Sequence, residues 1–175
     1  VSRVVTLIGL MGAGKSKVGR LAAGTLDRPF VDTDLLVEEM AGTTVAQIFA
    51  VEGEAAFRRR EVAAVRAALA RPGAVVSVGG GAVLDDRNVT CMRDAGPVIW
   101  LYAEPETLAQ RLHKSLLRGD RPLLADDDPV AVLRGLLECR RDAYAAAATV
   151  TLTTDGLTVE ESAGLLAEVI REHAA

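Results

Sequence analysis

Five short apolar runs, most of them followed by longer stretches whose apolar positions recur at helical spacing, set the frame of this chain. Strands are predicted at 4–9 (VVTLIG), 29–32 (PFVD), 74–78 (AVVSV), 97–102 (PVIWLY) and 149–153 (TVTLT). These runs do not alternate cleanly between apolar and polar, which fits strands covered on both faces. Helices are predicted over 15–25, 34–40, 44–50, 54–70, 105–116, 129–147 and 158–173. Strands alternating with helices predict an α/β protein built on a mainly parallel sheet. The pattern breaks at 116–129 (LLRGDRPLLADDDP), where arginine, glycine, proline and three aspartates replace it. That composition predicts a mobile surface lid over about 116–128. No internal repeat or linker divides the rest, so residues 1–175 are expected to form one domain.

Composition narrows the classes of function. The chain has 175 residues, enough for one domain with its own core. Half of it is apolar and 25% is charged, as in a soluble globular protein. A formal net charge of -4 argues against general binding to nucleic acid or anionic membranes. Any anion must therefore be held by local geometry. Cys91 and Cys139 are the only cysteines, beside two histidines, and a structural zinc site is not expected. No apolar stretch of membrane-spanning length or signal-peptide pattern stands out, and the expected location is the cytoplasm.

The first chemistry-bearing stretch is GLMGAGKS, Gly9 to Ser16, between the first strand and the first helix. It matches the phosphate-binding pattern G-x-x-x-x-G-K-[ST]. Glycines let successive backbone N–H groups converge on one phosphate without side chains in the way. Gly12, Ala13, Gly14, Lys15, Ser16 and Lys17 are the candidate ATP contacts. Lys15 is placed on the β- and γ-phosphates, and the Ser16 hydroxyl on Mg²⁺.

Other stretches supply candidates for the acceptor. Asp32 and Asp34 stand two apart where the second strand gives way to a helix. One carboxylate there can hold the magnesium shell and the other can orient or deprotonate a hydroxyl, although Asp32 is also a natural helix cap. Glu54, Arg58 and Glu61 lie along one helix face, which suits either surface ion pairing or an anion pocket. Gly79, Gly80 and Gly81 follow the third strand, where open α/β sheets bind ligands. Arg121 in the lid suits a phosphate-closing role, while nothing local decides between ligand and solvent for Arg140 and Arg141.

Together, GLMGAGKS, DTDLLVEE, TTVAQIFAVEGEAAFRRRE, VGGGAV, RPLL and the R-x-x-x-Y of Arg140 to Tyr144 resemble the shikimate kinase family over nearly the whole chain. The resemblance implies a phosphate-loop domain of the nucleoside-monophosphate-kinase type, with three layers, a five-stranded parallel sheet and a mobile lid. It implies transfer of the γ-phosphoryl group of ATP to the 3-hydroxyl of shikimate, with Mg²⁺ as cofactor. By the same resemblance Lys15, Asp34 and Arg121 are catalytic, with Arg121 also on ATP, and Ser16 and Asp32 manage the metal. Arg58 and Arg140 clamp the shikimate carboxylate, and Asp34 meets the hydroxyls. Phe49, Phe57, Glu61 and Gly79, Gly80 and Gly81 complete the pocket. Partners are then small molecules, and the chain is expected to be a monomer. One departure stands out: Asp142 occupies a position where the family often has proline, two residues from Arg140. The competing assignments on the same scaffold are a gluconate kinase and a nucleoside-monophosphate kinase. A nucleotide-sensing relative without catalysis is the alternative outside the enzymes.

Overall fold

A computed structural model describes residues 3–117 and 128–174 of the chain. Arg121 and the expected lid from 118 to 127 lie outside these residues, while 116–117 fall at the end of a helix and Asp128 caps the next one. All five expected strands form: β1 (Val5–Ile8), β2 (Phe30–Asp32), β3 (Val75–Ser77), β4 (Val98–Tyr102) and β5 (Val150–Thr153). They make one sheet in the order β2-β3-β1-β4-β5, with every pairing parallel. The central strands β1, β3 and most of β4 are buried throughout, whereas β5, at the edge, alternates between half-buried and exposed positions. That difference follows position in the sheet, because only an inner strand is covered on both faces.

Seven α-helices and a short 3₁₀ helix (Ala82–Leu84) complete the described elements: α1 (Lys15–Thr25), α2 (Thr33–Ala41), α3 (Val45–Leu69), α4 (Asp86–Ala95), α5 (Pro105–Leu117), α6 (Pro129–Ala147) and α7 (Val159–His173). Helix α1 packs on α7, α2 on α3, α3 on α4, and α5 on α6. Right-handed parallel crossovers send connections that run in opposite directions along the sheet to opposite faces, which yields the layered α/β arrangement. The core is aliphatic, with Leu7, Ile8, Ile48, Ile99, Leu101, Leu108, Leu133, Leu166 and Ile170 all fully buried. Among the described residues no helix is long and apolar enough to cross a membrane.

Two helical features differ from expectation. The segments expected at 44–50 and 54–70 meet without a loop in α3, kinked at Gly53 (φ 81, ψ 174). A left-handed φ with nothing within 4 Å of a would-be Cβ makes glycine the natural residue there. Across the kink, Phe49 and Phe57 meet at 4.6 Å between ring centroids. The second difference is α4, which the periodicity did not predict. It is capped by the Asp85 side chain, and only Asn88 and Met92 on it are buried.

The sheet's register decides where the chemistry can gather. Leu7 of β1 and Asp32 of β2 both pair with Ser77 of β3. Two residues beyond that level come Gly9, Asp34 and Gly79. The phosphate-type loop, the aspartate pair and the triple glycine therefore emerge side by side at the carboxyl ends of adjacent strands. This is the edge at which open parallel sheets bind ligands.

Candidate active site

The loop after β1 has the backbone its sequence requires. Gly12 and Gly14 hold φ of 83 and 92, and Gly14 is the N-cap of α1 without a side-chain cap. The first N–H groups of α1 are thus available to a ligand, and its positive end faces the loop. Lys15 Nζ donates to the Gly9 carbonyl at 2.7 Å and to the Leu10 carbonyl at 3.1 Å, so the ammonium lies against the loop. Ala13 is buried, while Ser16 and Lys17 are exposed in the first turn of α1.

Asp32 caps a helix, one of its two readings from sequence, and its second oxygen faces the phosphate-type loop. Its Oδ1 accepts from the Asp34 N–H at 3.0 Å and caps α2. Its Oδ2 accepts from Ser16 Oγ at 2.5 Å. A carboxylate has two oxygens, and here each has its own task. The Ser16–Asp32 pair offers two hard oxygen donors at the mouth of the loop.

The acceptor candidates converge on the triple glycine. A Cβ on Gly79 would lie 2.6 Å from Glu61 Oε1 and 3.1 Å from Asp34 Oδ1, and one on Gly81 would lie 2.6 Å from Arg58 Nη2. A Cβ on Gly80 would sit 3.6 Å from Arg140 Nη1 and 3.7 Å from the Tyr144 hydroxyl. Three consecutive backbone positions are thus ringed by two carboxylates, two guanidiniums and a phenol. Side chains on Gly79 or Gly81 would displace the charged groups. Phe49 and Phe57 join through Arg58, whose guanidinium stands 5.2 Å over the Phe57 ring.

Within that ring, Arg58 Nη1 donates to Glu61 Oε2 at 2.7 Å, while its Nε and Nη2 reach Glu54 Oε1 at 3.3 and 3.2 Å. Glu61 is 1% exposed and its Oε1 has no hydrogen-bond partner. Burial pushes its carboxyl above the ordinary 4.5; Arg58 opposes that rise, and the charges of Asp34 and Asp85 add to it. The two partners respond differently. Burial dominates at Glu61, whereas at Arg58 its lowering effect is outweighed by Glu61 and Glu54 together, and the net direction is upward.

The raised carboxyl has a measurable consequence. As pH climbs past 4.5 the unfolded chain releases a proton that the folded chain retains at Glu61. This contribution to stability is complete below that pH and is lost as pH rises through the folded value. Glu61→Gln should abolish it. Urea unfolding of both proteins at about pH 4.5 and about pH 7.5 should show a smaller loss of stability in the variant. An equal loss in both would mean that Glu61 is not the titrating group.

Arg140 and Tyr144 reach the site from α6, four residues apart and hence on one face. Asp142, two residues from Arg140, is exposed; that offset turns it away from the Arg140 face of the helix. Tyr144 lay within the R-x-x-x-Y pattern with no role assigned, although the i, i+4 spacing already placed it beside Arg140.

On the other flank, Arg111 of α5 donates to Thr154 Oγ1 at 3.0 Å and to the Thr154 carbonyl at 2.6 Å. Asp155 accepts from the Glu104 N–H at 3.0 Å and from Thr107 Oγ1 at 2.5 Å. The loop after β5 is thereby tied to α5. Burial lowers the Arg111 pKa, with Asp155 opposing.

Comparison with known proteins agrees with this geometry. The family model described as shikimate kinase matches residues 11–171. A shikimate kinase of Symbiobacterium thermophilum is 50% identical over 168 residues, covering 96% of each chain. The solved structure of a shikimate kinase from Acinetobacter baumannii in complex with shikimate superposes with a TM-score of 0.89 at 34% identity, covering 97% of this chain and 93% of that one. A gluconokinase from Sinorhizobium meliloti superposes at a TM-score of 0.58 with 20% identity, which shows a shared fold alone. With the family model spanning most of its length and half its residues shared with a relative over nearly the whole of both, this chain belongs to the shikimate kinase family.

Proposed function

We propose that the whole chain acts as one catalytic domain that transfers the γ-phosphoryl group of ATP to the 3-hydroxyl of shikimate. The observation that carries this reading is the convergence of Asp34, Glu61, Arg58 and Arg140 on Gly79–Gly81, beside a phosphate-type loop. Two guanidiniums suit one carboxylate, and a carboxylate suits a polyol hydroxyl. Arg58 and Arg140 grip the shikimate carboxylate, while Asp34 orients the attacking hydroxyl and takes up its proton. The backbone of Gly79–Gly81 and the rings of Phe49 and Phe57 shape the pocket around them.

On the donor side, Gly12 to Lys17 cradle the phosphates, Lys15 neutralises charge on the β- and γ-oxygens, and Arg121 closes over them. A loose phosphoryl-transfer transition state asks mainly for positioning and charge stabilisation, and these groups supply both. Ser16 Oγ and Asp32 Oδ2 are hard oxygen donors side by side and would hold a small hard cation. Mg²⁺ held by these two residues would supply positive charge to the phosphates of ATP. The protein works as a cytoplasmic monomer, with ATP and a small carboxylated polyol as its partners.

The test is a coupled ADP-release assay with MgATP against shikimate, D-gluconate, AMP and CMP in parallel. Turnover confined to shikimate is the expected result. Turnover with D-gluconate or a nucleotide instead would move the acceptor assignment. ATP binding without turnover on any acceptor would favour a nucleotide-sensing role.

A further inference from the structure

The acceptor reading requires the triple-glycine backbone to be held still, and none of the roles assigned above does that. Backbone donors engage two of its carbonyls, Gly79 through the Ala82 N–H and Gly81 through the Leu84 N–H. The Gly80 carbonyl instead accepts from the Tyr144 hydroxyl at 2.6 Å. Among the described residues this is the hydrogen bond that fixes the middle peptide of the loop.

Tyr144 is built to hold that position. It is fully buried, and its ring stacks on Trp100 at 5.3 Å and 23°. Burial outweighs the neighbouring Arg140 charge and pushes the hydroxyl up to about 12, so it remains a protonated donor at any neutral working pH. Peptide planarity extends the effect by one atom group. The Gly80 C=O and the Gly81 N–H share a plane and point in opposite directions, so anchoring one aims the other. Arg140, one helical turn before Tyr144, presents Nη1 to the same glycine.

We propose that Tyr144 is a positioning residue for the acceptor. Through the Gly80 carbonyl it fixes the pocket floor and its register against Arg140. The inference rests on the acceptor reading given above.

Tyr144→Phe keeps the ring and its stack but removes the bond. The expected result is a rise of about tenfold in KM for shikimate, the size of effect produced by losing one buried hydrogen bond. KM for MgATP should stay within about twofold, because the donor side does not use this bond. Leu133→Val, equally buried on α6 but away from the site, serves as the comparison for plain destabilisation. It should lower the melting temperature and leave both KM values unchanged. Shikimate affinity is read independently from the fluorescence of Trp100, the single tryptophan. An unchanged shikimate KM in Tyr144→Phe, or equal rises for both substrates, would overturn the proposal and leave Tyr144 a core residue. Lack of shikimate turnover by the unsubstituted chain would overturn the acceptor reading, and this inference with it.

Discussion

Lys15→Ala is expected to lower turnover by about a thousandfold while leaving the fold intact. The ammonium spans the loop, bonded to the Gly9 and Leu10 carbonyls. In the proposed reaction it faces the transferring phosphoryl group, and a positioned cation in such a place acts mainly on the transition state. Its structural share is small. The side chain is only partly buried, so water can replace it on the two carbonyls, at a cost of about 1 kcal/mol. For a chain of this length that corresponds to a melting shift of about 2–4 °C. Steady-state ADP release and thermal unfolding, measured on the same preparation, separate the two effects. A large melting shift with turnover preserved per folded molecule would show that Lys15 braces the loop and takes no part in transfer.

That loop was legible because the residue types and the backbone demand each other. Positive φ at Gly12 and Gly14, followed by a helix without a side-chain cap, leaves little choice of sequence. The strands were legible for a similar reason, since burial on both faces leaves β1, β3 and β4 mostly apolar, with Thr6 and Ser77 as small polar exceptions. Helix α4 was not. With only Asn88 and Met92 buried, it carries no apolar stripe, and its sole signals were Asp85 before it and Gly96 after it. The acceptor site was half legible. Glu54, Arg58 and Glu61 share a helix face by spacing alone, but local sequence could not separate a ligand pocket from a surface ion pair. The fold shows only that the Glu61 half of the cluster is no surface ion pair, because Glu61 is 1% exposed while the Glu54 side chain is 68% exposed. Arg140 was undecidable from its neighbours, since only tertiary packing brings α6 to the end of β3. The Arg111–Thr154 and Asp155–Thr107 bonds were equally hidden, because each joins residues more than forty positions apart.

Arg58→Ala should raise KM for shikimate by about a hundredfold, as loss of a charge-assisted pair at one carboxylate does, with KM for MgATP within about threefold. The present partners of Arg58 show why it can serve a ligand. Glu61 is buried and holds Nη1 at 2.7 Å, which locks the guanidinium in place. Glu54 touches the other edge from an exposed position, a pair of the kind worth about 0–1 kcal/mol. A substrate carboxylate can displace Glu54 at little cost while Glu61 keeps the fork aimed. Removing Arg58 also strips Glu61 of its cation, and a buried carboxylate left unpaired destabilises the fold. The single variant therefore mixes a binding loss with a structural one. Arg58→Ala in a Glu61→Gln background separates them, because a neutral amide removes the unpaired charge without restoring any grip on the ligand. Stability should recover in the double variant while the shikimate KM stays high. If KM recovers together with stability, Arg58 serves to neutralise Glu61, and the carboxylate clamp falls to Arg140 alone.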